Sequence, residues 1–171
     1  FQAEDGIRDV AVAGVQTCAF RSFEGAATAR PAAGLLAALD DAALGGIVIC
    51  PSNPYLSVQP ILEVPGIRER LAARRGPLVA VSPIVGGRAI KGPAAKILRE
   101  LGHEPSALAV ARHYAGLIDA LVLDQADAAL APAVEALGMR AVVTDTIMRD
   151  APSARALAQT SLDAVARLRA R

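Results

Sequence analysis

Aromatic side chains are nearly missing from this chain of 171 residues: they make up 3%, and there is no Trp. That scarcity argues against a module that stacks bases on aromatic platforms. Charge of one sign is also lacking, since 18 Lys and Arg stand against 17 Asp and Glu. With no basic excess to displace counterions, a nucleic-acid partner is not expected. Cysteine is limited to Cys18 and Cys50, too few for a disulfide framework, which favours free thiols and a cytoplasmic setting. No apolar run is long enough to span a bilayer before a charge interrupts it, and no charged segment leads into the apolar core of a secretory signal.

What is there is aliphatic. A hydrophobic share of 53% excludes intrinsic disorder, and with few rings the core must be built from Ala, Leu, Val and Ile. Such a diet suits helices laid on a parallel sheet, whose strands are buried on both faces.

The chain opens on Phe1 rather than Met, as a mature form or a piece of a longer chain would. The run FQAEDGIRDVAVAGVQTCAF (Phe1 to Phe20) resembles a translation of sequencing-adapter read-through, with an ordinary mobile terminus as the alternative. Residues 1–20 are therefore expected to be non-native or disordered and are left out of the fold reading, which covers 21–171.

From Arg21 onward, helical and strand patterns alternate. RPAAGLLAALDDA predicts a helix opening at Pro31, and GGIVIC (Gly45 to Cys50) a buried strand. PSNPYLSVQP carries three prolines and is not expected to be regular throughout. A helix follows from Pro65, then a second strand from Pro77 to Ser82 and a Gly/Pro-rich loop, PIVGGRAIKGP. Pro93 to Gly102 has orthodox helix start and stop signals, and another helix begins near Pro105 or Ser106. ALVLD (Ala120 to Asp124) is the third strand, an alanine-rich helix runs from Gln125 to Leu137, and RAVVTD (Arg140 to Asp145) is the fourth strand. An amphipathic helix closes the chain. Strands joined by helical crossovers mean an α/β, Rossmann-like parallel sheet with flanking helices. Ligands of such sheets bind outside the carboxyl ends of the strands, where three loops rich in Ser, Thr, Asn, Asp and Gly meet.

Two of those loops carry the chemistry. Gly86-Gly87 can turn successive backbone N–H groups into one concavity, and Lys91 stands just before a helix start, so the segment reads as an anion site or as a plain turn with a solvated lysine. It matches neither the P-loop nor the dinucleotide-binding spacing. In the other loop, Pro51 and Pro54 bracket Ser52 and Asn53. Asn53 has the donor and acceptor to meet a base edge or a ribose hydroxyl, or it caps its own backbone. Asp145, after the fourth strand, could hold a magnesium ion or order a hydroxyl nucleophile, but the favoured reading is an N-cap or a partner for Arg149. His113, with Arg112 and Tyr114 beside it, has no second ligand at metal spacing and reads as a surface or core residue. Cys50 is expected to be buried as a small apolar residue. No catalytic residue is assigned.

At these loops the segments ICPSNPYLSVQPILEVPGIRERL, VAVSPIVGGRAIKGPAAKILRELG, SALAVARHYAGLIDALVLD and AVVTDTIMRD together resemble the 2-phospho-L-lactate transferase family, in that order and from about Phe20 onward. The resemblance corresponds to the C-terminal part of a larger domain, without the family's Gly-rich N-terminal phosphate loop. It implies transfer of a phospholactyl or phosphoenolpyruvyl group from a guanosine diphosphate-activated donor to 7,8-didemethyl-8-hydroxy-5-deazariboflavin. GMP is released, in biosynthesis of coenzyme F(420). It also implies Mg2+, with ligands expected in the missing half, and a possible homodimer. The nucleotide-facing residues it implies are Ser52, Asn53, Pro54, Ser57, Ser82, Val85, Gly86, Gly87 and Lys91, with Asp145 and Thr146 weaker. A truncated chain of this kind is expected to be inactive alone. The rivals are another α/β nucleotide-binding domain, which lacks its Gly-rich first turn here, and an inert structural fragment.

Overall fold

Short β-branched runs bounded by Gly and Pro become the strands. In the computed structural model, which describes residues 25–170, these are β1 (Ile47–Ile49), β2 (Leu78–Val81), β3 (Ile84–Val85), β4 (Arg88–Ala89), β5 (Ala120–Asp124) and β6 (Arg140–Thr144). Four of them form one sheet in the order β1-β2-β5-β6, every pair parallel. The registers set Ile47 opposite Leu78, Val79 opposite Ala120, and Ala120 opposite Arg140. The central strands β2 and β5 are buried at every position, as a parallel sheet covered on both faces requires. β3 and β4 form a small antiparallel hairpin where only a loop was expected.

The helices are α1 (Ala33–Asp40), α2 (Gln59–Glu63), α3 (Ile67–Ala72), α4 (Ala94–Glu100), α5 (Ala107–His113), α6 (Ala131–Glu135) and α7 (Ala151–Arg169). The alanine-rich stretch after β5 is not one helix. It winds as a 3-10 segment, Gln125–Leu130, before α6.

Strand alternation divides the core in two. Leu78, Ala80 and Leu121 face Leu62, Ile67, Leu98, Val110 and Val134 of the crossover helices. Val79, Val81, Ala120 and Val122 face Leu157, Ala164 and Val165 of α7. In this sequential strand order, right-handed crossovers set their helices on one face, which leaves the other to α7. α7 is started by a capping box, with Asp150 Oδ1 accepting from the Ser153 N–H at 2.8 Å and Ser153 Oγ accepting from the Asp150 N–H at 3.0 Å. It packs so closely that a Cβ at Gly46 would run into Val165 Cγ1.

Among the described residues β1 and β6 are the sheet edges. Cys50, just past the short edge strand β1, is exposed rather than buried as expected. Since the order never reverses, there is no switch-point crevice among these strands, and loops must build any concavity at the rim.

Candidate functional site

After β1 the chain is drawn into a helix by Asn53. Its Oδ1 accepts from the N–H of Tyr55 at 3.0 Å and of Leu56 at 3.2 Å. Pro54 takes the first helical position, where a missing N–H costs nothing. One wide π-type turn, Pro54–Val58, leads directly into α2. The three-proline segment is thus helical from Pro54 to Glu63 and irregular over residues 51–53, so it is not regular throughout, as expected. Pro60 enters where the winding changes, and a wide preceding turn suits a ring that cannot donate and crowds the turn before it.

After β2, Ser82 folds on itself. It is 2% exposed, and its Oγ donates to the Ile84 carbonyl at 3.0 Å and accepts from the Ile84 N–H at 3.2 Å. The hairpin then turns on Gly86 (φ 53°) and Gly87 (φ 76°), two left-handed residues in succession, as a type I′ turn needs. The Gly86 N–H donates to Asp127 Oδ2 at 3.0 Å. The amide expected to face an anionic ligand therefore already holds an anion of the protein, a carboxylate on a residue only 6% exposed.

After β5 and β6 two acidic residues behave differently. Asp124 is buried and accepts from the Ala126 N–H, the Thr146 N–H and the Thr146 hydroxyl at 2.9, 2.8 and 3.0 Å. Burial works to raise its carboxyl, but these three donors outweigh it and hold the group below the usual carboxylate range. Asp145 is exposed and pairs with Arg149 Nη1 at 2.6 Å. That contact, with the Ile147 N–H, lowers its carboxyl.

Three of these rim segments close around one cavity of about 930 Å3. Tyr55 comes from the turn after β1, Gly86 and Gly87 from the hairpin after β2, and Asp127 from the segment after β5. The remaining wall is the loop of residues 102–106 and the face of α5 that carries Arg112 and His113. His113 lies against Tyr55, ring centroids 4.5 Å apart. Burial, then the charge of Arg68, lowers its imidazole below the ordinary value.

Comparison with known proteins adds the decisive observation: the sequence profile of the 2-phospho-L-lactate transferase CofD family matches residues 6–162. The chain belongs to that family. It is 43% identical over 147 residues to a phosphoenolpyruvate transferase of Streptomyces griseus, covering 85% of this chain and 46% of that protein. It is 42% identical over 113 residues to a 2-phospho-L-lactate transferase of Methanosarcina acetivorans, covering 66% of this chain and 36% of that protein. The chain spans about half the length of the curated relatives it matches.

In this family member the residues singled out from the sequence are only partly gathered. Gly86 and Gly87 line the cavity, and Asn53 and Pro54 stand immediately before Tyr55, which does. Asn53 uses its oxygen as the helix cap, leaving Nδ2 buried without a partner. Ser52, Ser57, Ser82, Val85, Lys91, Asp145 and Thr146 are not part of the wall. Lys91 is exposed beyond the hairpin, so it is not the desolvated cation the anion reading needed.

Tyr55, Arg112 and Asp127 are wall residues that the sequence reading did not select, and His113 was read as surface or core. The available signal was position, since Tyr55 and Asp127 each follow a strand end within a few residues. No group of three or more His, Cys, Asp or Glu suited to a metal stands among the described residues, and Asp124 has both oxygens engaged by N–H and O–H donors. No helix among the described residues is long and apolar enough to cross a membrane.

Proposed function

We propose that this chain supplies the donor- and acceptor-holding rim of a transferase working on soluble metabolites in the cytoplasm. The reaction moves a phospholactyl or phosphoenolpyruvyl group from its guanosine diphosphate-activated form to 7,8-didemethyl-8-hydroxy-5-deazariboflavin. The ribityl hydroxyl oxygen of the acceptor attacks phosphorus, a new P–O bond forms, the bond to GMP breaks, GMP leaves with the bonding pair, and the hydroxyl proton is released to solvent. Mg2+ would neutralise phosphate charge in that step. Relatives carrying either substrate name match at similar identity, so the lactyl and enolpyruvyl forms are equal candidates.

The observation that carries this reading is the single cavity on which the turns after β1, β2 and β5 converge. Reactions at phosphorus depend on positioning and charge neutralisation more than on covalent catalysis, and a rim of short, locally braced turns suits that demand. Asn53 and Asp127 each brace one turn, so Tyr55 and the twin-glycine tip enter the cavity pre-ordered. Arg112 adds a guanidinium with no ion pair among the described residues, the fork best suited to phosphate oxygens.

A thermal-shift titration with GDP tests the reading. GDP at a hundred times its dissociation constant should stabilise the fold by about 2.7 kcal/mol, with ADP and NAD well behind. No shift with GDP at millimolar concentration overturns it. Because the chain is expected to be inactive alone, thermal-shift titrations with each activated donor, rather than turnover, then separate the two donor forms.

A further inference from the structure

Rings are scarce in this chain, and their placement is correspondingly informative. Among the described residues Tyr55 and Tyr114 are the only Phe, Tyr or Trp side chains, and both lie against the same imidazole. Tyr55 meets His113 with ring centroids 4.5 Å apart at 58°, and Tyr114 meets it at 5.0 Å and 71°, edge to face. The two tyrosines come from different elements, the turn after β1 and the end of α5. Tyr114 is 1% exposed and backs the imidazole from the core side, whereas Tyr55 and His113 are half-buried and both line the cavity. Tyr114 belongs to the first core cluster and Tyr55 packs against its edge, so Tyr55 and His113 stand where that core meets the cavity.

Two adjacent rings on a cavity wall suit a flat ligand, which can stack on a π-system. His113 Nε2 is turned away from that space, buried and without a hydrogen-bond partner among the described residues, so the imidazole meets the cavity through its ring. We propose that Tyr55 and His113 form the stacking wall for a planar heteroaromatic ring of the substrate. This rests on the reading of the cavity as the transferase substrate site. Two substrates in that reading carry such a ring, the guanine of the donor and the deazaflavin of the acceptor. Their shared chemistry is a flat system edged with nitrogen and oxygen.

The test titrates wild type, Tyr55→Leu, Tyr55→Phe and His113→Leu separately with GDP, by calorimetry, and with the deazaflavin, by quenching of its fluorescence. Melting curves are recorded for each variant. Tyr55→Leu should weaken one of the two ligands about ten- to a hundredfold, and the ligand affected identifies the ring. Tyr55→Phe keeps the face and should stay within about threefold of wild type, a rescue that a collapsed cavity would not show. His113→Leu should weaken the same ligand as Tyr55→Leu. The proposal is overturned if folded Tyr55→Leu binds both ligands as tightly as wild type, or if Tyr55→Phe falls as far as Tyr55→Leu. Wild type binding neither ligand is a different result: it ends the cavity reading, and this inference with it.

Discussion

The backbone N–H of Gly86 and the carboxylate of Asp127, 41 positions apart in sequence, meet at 3.0 Å and tie the hairpin after β2 to the segment after β5. The turn they fix is the tip that enters the cavity. Asp127→Ala leaves that amide without its partner and should cost about 1.5–3 kcal/mol, the range for a hydrogen bond to a charged group. Asp127→Asn keeps an acceptor in place and should recover most of the loss. Urea denaturation of the three proteins measures both effects, and equal stability of Ala and Asn variants would show that the contact carries no weight.

Gly86 is held at φ 53°, with the nearest neighbour of an added Cβ, Ala126 Cβ, at an uncrowded 3.9 Å. Gly86→Ala should therefore cost only the conformational penalty, about 1–2 kcal/mol, without a clash. A much larger loss in thermal melting would mean that space, not backbone freedom, demands glycine here.

Asn53 offers a cleaner division between folding and binding. Its Oδ1 caps the helix that begins at Pro54, and Nδ2 is buried without a partner. Asn53→Ala should lose about 0.5–2 kcal/mol as a removed cap. Asn53→Asp retains the cap oxygen, so its melting temperature should lie near wild type. If Nδ2 serves a ligand, Asn53→Asp binds GDP or the deazaflavin more weakly while remaining folded. Unchanged affinity for both assigns Asn53 to the cap alone.

Thr146 closes the far side of the rim through two hydrogen bonds to Asp124 Oδ2. Thr146→Val removes only the hydroxyl bond and keeps the volume, and should destabilise by about 1.5–3 kcal/mol because the acceptor is charged and buried. Chemical denaturation at pH 7 checks this. At a pH low enough to protonate Asp124 the difference between the two proteins should shrink.

His113 makes stability depend on pH between neutrality and mild acid. Burial, and after it the charge of Arg68 on α3, depresses its folded pKa below the ordinary value of about 6.5. The unfolded chain then takes up the proton first as pH falls. Stability from this group is complete above the ordinary value, declines as pH drops below it, and levels off beneath the folded pKa. His113→Gln should flatten that part of the profile. The depressed aspartates, Asp124 among them, act only in stronger acid. Tyr55, Tyr114 and Arg112 surround the imidazole without changing charge in this window. Parallel pH profiles for wild type and His113→Gln would refute the assignment.

The α/β class was legible because a parallel strand buried on both faces leaves an unbroken aliphatic run, as in Leu78–Val81 and Ala120–Leu123. Pro and Gly marked the helix limits between those runs, and four motif blocks in order pointed to the family that the profile match bears out. The site was legible only in outline. The twin glycines reach the cavity, but Lys91 does not, because the β3–β4 hairpin intervenes and leaves the lysine in solvent. Asn53 was read as ligand or cap. The hydrogen bonds to Tyr55 and Leu56 account for its oxygen and carry the neighbouring tyrosine to the wall instead.

By itself, then, the order of residues determined the four strands of the parallel sheet and most of the helices, since side-chain periodicity and turn chemistry act over a few positions. Only tertiary structure decided that Asp127 would occupy the Gly86 amide, that Tyr55 would reach His113, and that Thr146 would reach Asp124. Those partners lie 41, 58 and 22 positions apart along the chain. They meet because sheet register and helix packing set the height and direction of each loop, which no local pattern encodes.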